Sequence, residues 1–330
     1  MTNILITGGT GFIGSRLALH CLERGDRVRV YGRLNTPAET DNAEKLKQSG
    51  AEVVLGSMTE KQRVAEAVDG VDIVFHLAAA QHEANVPDAL FWDVNLRGTE
   101  TMLAAAAAAG VRRFVHGSTI GVYGSALGGV IDEESPLRPD NIYGITKLAG
   151  ERAVMAFRDR LPVVVIRISE TYGPGDRRLL KLFRGIAKGT FFVIGSGDNI
   201  HHLIYIQDLI DGFMRAADAE GAVGELFVLA GKQPLTTLEM VRTVARVLNG
   251  RLPRMHAPML PFMMLAAAME LTLRPLGIQP PLHRRRMDFF RKSFLFSPRK
   301  SEELLDFHPQ VDFHEGVSRT AEWYRRHDLL

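Results

Sequence analysis

The chain has a single cysteine, Cys21, two tryptophans and a formal net charge of only +2 across 330 residues. One thiol cannot close an internal disulfide, so nothing calls for an oxidising compartment. Cys21 reads as a small apolar residue on a packed helix. The near-balanced charge gives no reason to expect nucleic acid or an anionic membrane as the main partner. Long apolar runs are missing too. The longest uncharged one, Ala257 to Met269, contains Pro258 and Pro261 and ends at Glu270. It falls short of the ~20 residues of a transmembrane helix, though it leaves room for peripheral contact with a membrane surface or for an apolar pocket. Met1-Thr2-Asn3 brings no basic stretch ahead of an apolar one, so no signal peptide is expected and the cytoplasm is the expected location. Sequence repeats and low-complexity linkers are absent, which argues against repeat arrays and tethered domains.

What is present is a chain that is 46% hydrophobic, enough for a large core. Its first half alternates β-branched runs with helical stretches. Strands are expected at Asn3–Thr7, Arg27–Tyr31, Glu52–Leu55, Asp72–His76, Val111–Gly117 and Pro162–Arg167. Helices are expected at Gly11–Arg24, Glu60–Val68, Asp88–Ala109 and Asn141–Arg160. Such alternation predicts an α/β fold with a doubly wound parallel sheet of the Rossmann type. Beyond residue 170 the rhythm loosens. Helices are expected at Leu179–Lys188, Gln207–Ala217 and Thr237–Leu248, with strands at Phe191–Ile194 and Leu226–Ala230, the latter returning to the sheet. A final helix ends in Trp323-Tyr324.

Two motifs carry chemistry. Thr7-Gly8-Gly9-Thr10-Gly11-Phe12-Ile13-Gly14 falls where the first strand turns into the first helix. Glycines there permit a tight turn and close backbone approach, and the helix start offers N–H groups to a pyrophosphate. Tyr143 and Lys147 stand four residues apart on an expected helix, which puts both on one face. A free phenol has a pKa of about 10, and a neighbouring ammonium favours the phenolate, so the pair can move a proton at a substrate oxygen. Tyr-x-x-x-Lys alone is a weak signal.

Further landmarks follow in order: Val74-Phe75-His76-Leu77-Ala78-Ala79, Asp93-Val94-Asn95, Gly117-Ser118-Thr119-Ile120-Gly121-Val122-Tyr123-Gly124, and Arg167 with Tyr172-Gly173-Pro174. With these the chain resembles, nearly end to end, an extended short-chain dehydrogenase/reductase of the NAD-dependent epimerase/dehydratase family. The resemblance implies an enzyme with residues 1–170 as the NAD(P)-binding domain, rejoined by 203–232. It places a smaller C-terminal substrate-binding lobe in 171–202 and 233–330. It makes Tyr143 the acid/base, Lys147 its partner and a ribose contact, and Thr119 the hydroxyl that bonds the reacting oxygen, with Ser118 structural. Cofactor contacts are expected from Gly8, Gly11, Phe12, Ile13, Gly14, Arg33, Ser57, Ala78, Ala79, Asn95, Tyr143 and Lys147. The family also implies a homodimer through the helices near 88–109 and 141–160.

The chain departs from the family at four places. Gly32-Arg33 ends the second strand where NAD-using members have an acidic residue, so NADP(H) is favoured over NAD(H). Ser57 replaces an aspartate that faces the adenine. Glu170 stands where nucleotide-sugar members have an asparagine, and His201-His202 where they have an arginine, so Glu170 and His202 are the expected substrate contacts. No metal is expected, because the His pair lacks further ligands at suitable spacing. The Met-rich segment from Pro258 to Leu273, Pro280-Pro281-Leu282 and Ser297-Pro298 resemble the branch holding 3β-hydroxysteroid dehydrogenases and dihydroflavonol reductases. Arg284-Arg285-Arg286 reads as a solvated face, with phosphate or anionic lipid as the alternative. Three functions are therefore weighed. The first is hydride transfer on a nucleotide sugar or related polyhydroxylated substrate, the second the same chemistry on an apolar one. The third is a non-catalytic cofactor sensor, against which the presence of Tyr143, Lys147 and Thr119 argues.

Overall fold

In the computed structural model the β-branched runs become seven strands: β1 (Asn3–Thr7), β2 (Arg27–Gly32), β3 (Glu52–Leu55), β4 (Ile73–His76), β5 (Arg113–Thr119), β6 (Val163–Ile168) and β7 (Leu226–Leu229). The structure describes all residues except 82–85, 126–127, 251, 253–255, 274–277 and 279–283, and the side chains of 284–286. Pro280-Pro281-Leu282 and the Arg284-Arg285-Arg286 side chains thus lie outside what is described. The strands form one sheet in the order β7-β6-β5-β4-β1-β2-β3, every pair parallel. This is the predicted doubly wound sheet, and β7 returns to it beside β6 as expected.

Both faces of the sheet are covered, which is why its strands read as continuous apolar runs. The helices are α1 (Phe12–Glu23), α2 (Pro37–Gln48), α3 (Lys61–Val68), α4 (Asp88–Trp92), α5 (Gly98–Ala108), α6 (Ile142–Ala156), α7 (Leu180–Ala187), α8 (Ile206–Asp218), α9 (Thr237–Val247), α10 (Met259–Leu273), α11 (Arg284–Arg291), α12 (Arg299–Leu305) and α13 (Phe313–Arg326). Ile4 and Ile6 of β1 face one core, shared with Leu17, Phe213, Val241 and Val317 from α1, α8, α9 and α13. Leu5, one residue away, faces the other, with Val64, Met102 and Val154 from α3, α5 and α6. The C-terminal helices therefore share a core with the sheet.

Three expectations change. α2 gave no periodic signal because only Ala43 and Leu46 are buried; a capping box of Thr36 and Glu39, with Pro37 in the first turn, makes it. The long helix expected over 88–109 is interrupted by a π turn at Asp93–Arg97, which holds Asn95 inward between α4 and α5. The strand expected at Phe191–Ile194 shrinks to Val193–Ile194, paired with His256–Ala257 outside the main sheet.

The helix carrying Tyr143 is fixed by a buried ion pair. Glu151 of α6 meets Arg167 of β6 at 2.6 Å, with side chains 4% and 3% exposed. Ser118 Oγ donates to the same carboxylate at 2.8 Å, and Arg167 also donates to the Tyr123 hydroxyl at 2.8 Å and the Glu133 carbonyl at 3.0 Å. Removing one partner strands a charge in the core. Glu151→Leu is expected to cost about 3–5 kcal/mol in urea unfolding. The double change Glu151→Leu with Arg167→Leu is expected to recover much of that loss; equal losses in both variants would contradict the pairing.

Candidate active site

The chemistry-bearing residues of the sequence gather at the carboxyl edge of the sheet, the place where open α/β sheets bind ligands. The β1–α1 turn lies there because Gly8 adopts a φ of 65°. A Cβ on Gly8 would stand 2.8 Å from the Ala78 nitrogen, and one on Gly14 would stand 2.4 Å from the Gly8 carbonyl oxygen. The turn is thus pressed against the loop after β4. α1 starts with no side-chain cap and no acid in its first turn, so its leading amides suit a phosphate. Phe12 and Ile13 sit half-buried over this start, while Ala78 is half-buried and Ala79 exposed beside it.

α6 presents Tyr143 and Lys147 to the same edge and is held by every inward position that follows. Asn141 caps it by accepting from the Gly144 N–H at 3.0 Å. Thr146 accepts from Asn95 Nδ2 at 3.0 Å, and Gly150 lets the Asn95 carbonyl come so near that a Cβ would stand 2.4 Å away. Lys147 is 1% exposed; its Nζ donates to the Gly117 carbonyl at 2.6 Å and lies 3.4 Å from His116 Nε2. Thr119 ends β5, and its Oγ accepts the Gly121 N–H at 3.1 Å, which leaves the hydroxyl proton to donate elsewhere. Tyr143, half-buried in the first turn of α6, lies near Gly121, where an added Cβ would stand 3.9 Å from its ring.

Asn95 is engaged with protein. Its Oδ1 accepts from the Ala80 N–H at 2.8 Å, and its Nδ2 donates to the Ala80 carbonyl and to Thr146, both at 3.0 Å. The amide's donors are spent there, so Asn95 positions the β4 loop against α6. A second chain of bonds does similar work. Ala78 N–H donates to Thr7 Oγ1 at 3.1 Å, Thr7 meets His76 Nδ1 at 2.8 Å, His76 Nε2 meets Thr99 Oγ1 at 3.0 Å, and Thr99 donates to the Asn95 carbonyl at 2.8 Å. These directions place the His76 proton on Nε2. Burial drives the His76 pKa down to about 3 and holds His116 well below the usual range, with Lys147 adding to both, so the two stacked rings are neutral.

The far end of the edge holds a cleft of about 440 Å³ between the ends of β2 and β3, lined by Gly32, Arg33, Asn35, Ser57 and Glu60 among others. Arg33 is exposed there, and a Cβ on Gly32 would meet nothing closer than 3.7 Å. The Ser57 hydroxyl is engaged with Thr59 Oγ1 at 2.9 Å. A dinucleotide fits this row, with pyrophosphate at the glycine turn and α1, and adenosine toward Gly32.

The family model described as NAD dependent epimerase/dehydratase family matches residues 4–230. The chain belongs to that family. It is an enzyme of the extended short-chain dehydrogenase/reductase type. A 3 beta-hydroxysteroid dehydrogenase/Delta 5-->4-isomerase of Mycobacterium tuberculosis is 34% identical over 271 residues, covering 77% of this chain and 71% of its own. A dTDP-glucose 4,6-dehydratase of Streptomyces niveus is 29% identical over 338 residues, covering 98% and 92%. The UDP-glucuronic acid 4-epimerase of Bacillus cereus, solved in complex with NAD, shares the fold with a TM-score of 0.80 at 22% identity over 98% of this chain and 99% of that one.

On the substrate side this epimerase/dehydratase-family chain separates its two expected contacts. Ile168 is the register partner of Thr119, so Glu170 lies just past the end of β6 beside the catalytic edge. Its carboxylate, 34% exposed, meets His201 Nδ1 at 2.8 Å. Burial alone would raise the Glu170 pKa and lower that of His201, but each outweighs this for the other, so Glu170 is held below and His201 above its ordinary value and each favours the charged form of its partner. His202 points away from this role. Its Nε2 meets the Gly231 carbonyl at 2.9 Å and its Nδ1 accepts the Phe296 N–H at 3.1 Å, so both ring nitrogens serve backbone. Of the His pair it is thus His201, not His202, that stands at Glu170, and Glu151 is the residue the sequence reading passed over. Glu151 follows Tyr143 and Lys147 at further steps of four, a spacing that marks it for the same helix face. Among the described residues no group of three His, Cys, Asp or Glu is placed to hold a metal.

Burial lowers the Lys147 pKa from 10.5 to about 8, with Glu151 opposing the fall. The unfolded chain then binds more protons than the native one between these values, so this group makes stability rise with pH from about 8 to about 10.5. Denaturation of wild type and Lys147→Met across that window is expected to show the slope only in wild type; parallel profiles would contradict the lowered Lys147 pKa.

Proposed function

We propose that the enzyme moves a hydride between a secondary alcohol or ketone carbon and a nicotinamide cofactor, NADP(H) in preference to NAD(H), on a nucleotide sugar or related polyhydroxylated substrate. The observation that carries the chemistry is the meeting of three separate elements at one sheet edge: the glycine turn before α1, Thr119 at the end of β5, and Tyr143 on a helix clamped at Thr146, Lys147, Gly150 and Glu151. The cofactor supplies the hydride acceptor or donor. Tyr143 takes the proton from the substrate hydroxyl or returns it to the carbonyl oxygen. Thr119 donates a hydrogen bond to that oxygen, and Lys147, one turn along, adds positive charge behind the phenol.

For the substrate, the support lies in the Glu170–His201 pair. Glu170 alone would repel a diphosphate, but His201 at 2.8 Å, with its pKa raised by this carboxylate, offsets that charge when protonated, and the exposed part of the carboxylate is an acceptor for sugar hydroxyls. The activity of the Streptomyces relative points the same way. An apolar substrate keeps the support of the mycobacterial relative. Its other ground, α10 as a pocket lining, is weakened because Leu260, Met264 and Leu271 face solvent at 70%, 66% and 78% exposure. NADP(H) is supported by exposed Arg33 and the open space at Gly32. A homodimer through α5 and α6 belongs to the same reading, supported by exposed Ala104, Ala108 and Ile145 on their outer faces.

Thermal-shift screening with cofactor present separates the substrates: stabilisation by UDP-, GDP- or dTDP-sugars is expected, and stabilisation only by sterols or flavonoids would overturn the first reading. With the substrate so found, Tyr143→Phe is expected to lower kcat by about 100-fold or more while cofactor affinity, followed by fluorescence, stays near wild type. Arg33→Ala is expected to lower kcat/KM for NADPH by about tenfold or more and to leave that for NADH nearly unchanged; an equal loss with both would contradict a 2′-phosphate contact.

A further inference from the structure

A ligand group that leaves water for a partly buried site is held there only if the site supplies the hydrogen-bond partner it needs. The carboxyl end of β6 has few hydrogens left to give. Ser169 donates its hydroxyl to the His202 carbonyl, and Thr171 donates its hydroxyl to the Ser169 carbonyl at 3.0 Å; both residues are buried. Glu170 lies between them with its side chain 34% exposed. Burial is the largest influence on its pKa, yet His201 and Arg178 together bring that pKa below the ordinary value. At neutral pH the group is therefore a carboxylate and has no hydrogen of its own. A side chain so closely surrounded and still accessible sits in a recess rather than on an open surface.

The hydrogens behind Glu170 are spent as well. His201 is buried, and its Nδ1 lies 2.8 Å from Glu170 Oε2. A carboxylate only accepts, so the ring donates there whether it is charged or neutral. On its other side Nε2 meets Thr237 Oγ1 at 3.0 Å and Asn199 Nδ2 at 3.2 Å. Thr237 donates to Asn199 Oδ1 at 2.7 Å, and Asn199 Nδ2 donates to the Phe289 and Lys292 carbonyls at 2.8 Å and 3.1 Å. The Phe289 ring covers the imidazole at 4.7 Å. Arg178 is engaged by Asp176 Oδ1 at 3.0 Å and by the Thr171 carbonyl. The chain of bonds from Glu170 through His201, Thr237 and Asn199 thus ends on backbone carbonyls. Among the described residues no side chain meets Glu170 Oε1, so what this network offers a ligand is an acceptor.

On the nucleotide-sugar reading, on which this rests, we infer that Glu170 selects the sugar: the recess takes a neutral hexose whose hydroxyl donates to Oε1, and it rejects the corresponding uronic acid. A hydroxyl brings the hydrogen that the recess lacks. A carboxylate brings only acceptors and a second negative charge, so it finds no donor there and is repelled. His201, when protonated, offsets the charge of Glu170 but gives no hydrogen to the ligand. Ile168 is the register partner of Thr119, so the selection acts on the sugar beside the catalytic edge and not on the nucleotide.

Calorimetric titration of the full chain with cofactor bound tests this with two matched pairs: UDP-glucose against UDP-glucuronic acid, and GDP-mannose against GDP-mannuronic acid. Within each pair a hydroxymethyl group is exchanged for a carboxylate. Wild type is expected to bind the neutral member of the pair it accepts about tenfold or more tighter than the acid. Glu170→Gln removes the negative charge and brings amide hydrogens to the recess. It is expected to bind the acid about tenfold or more tighter than wild type does, with a melting temperature near that of wild type. The wild-type comparison holds whether or not the variant folds. Wild-type binding of the acid as tightly as its neutral partner, or an unchanged preference in folded Glu170→Gln, would overturn the inference and leave the nucleotide-sugar reading standing. Binding of none of the four by wild type would remove that reading, and the inference with it.

Discussion

Lys147, Glu151 and Arg167 are each at least 95% shielded from water, and the geometry of the catalytic edge depends on how they settle with one another. An isolated charge at that depth would cost several kcal/mol. Arg167 and Glu151 answer each other directly, and Ser118 fills a further acceptor site on the carboxylate. Lys147 is answered by the Gly117 carbonyl and by Glu151 one turn along α6. The partners come from β5, β6 and α6, so satisfying them fixes the helix against two adjacent strands. Tyr143 stands one turn before the lysine, and Thr119 one residue after Ser118. The groups that meet the substrate on the proposed reading are thus extensions of a buried network.

The same logic reaches the other end of the edge. The bonds through Thr7, His76 and Thr99 are made by neutral groups, because burial and the nearby ammonium keep both histidines unprotonated. They join the glycine turn, the β4 loop and the π turn. A charged His76 would have two donors where Thr7 must donate, so the bond directions require the neutral ring. Electrostatic suppression of the histidines and the placement of the cofactor turn are therefore one effect.

Much of this was legible in the sequence. The strands showed because both faces of the sheet are covered, and the glycine turn showed because its spacing is a steric requirement. Lys147 was read from a four-residue spacing, which its helix preserved. The partners of Asn95 and His202, backbone groups and the Thr146 hydroxyl, were not legible, because periodicity gives position along an element and not the partner of a side chain. α2 escaped because its burial is slight and its start is set by a cap.

The core beneath α10 is not remote from the candidate substrate site. α11 carries adjacent phenylalanines that look in two directions. Phe290 packs in the core beneath α10, and the Phe289 ring lies 4.7 Å from His201, the partner of Glu170. The two phenylalanine rings meet edge to face at 5.0 Å. Asn199, whose Nδ2 donates to the Phe289 carbonyl at 2.8 Å, also contacts His201, so backbone as well as rings link the layers. The core under α10 and the Glu170–His201 pair are thus joined through one short helix, α11, whose Phe290 faces the first and whose Phe289 faces the second.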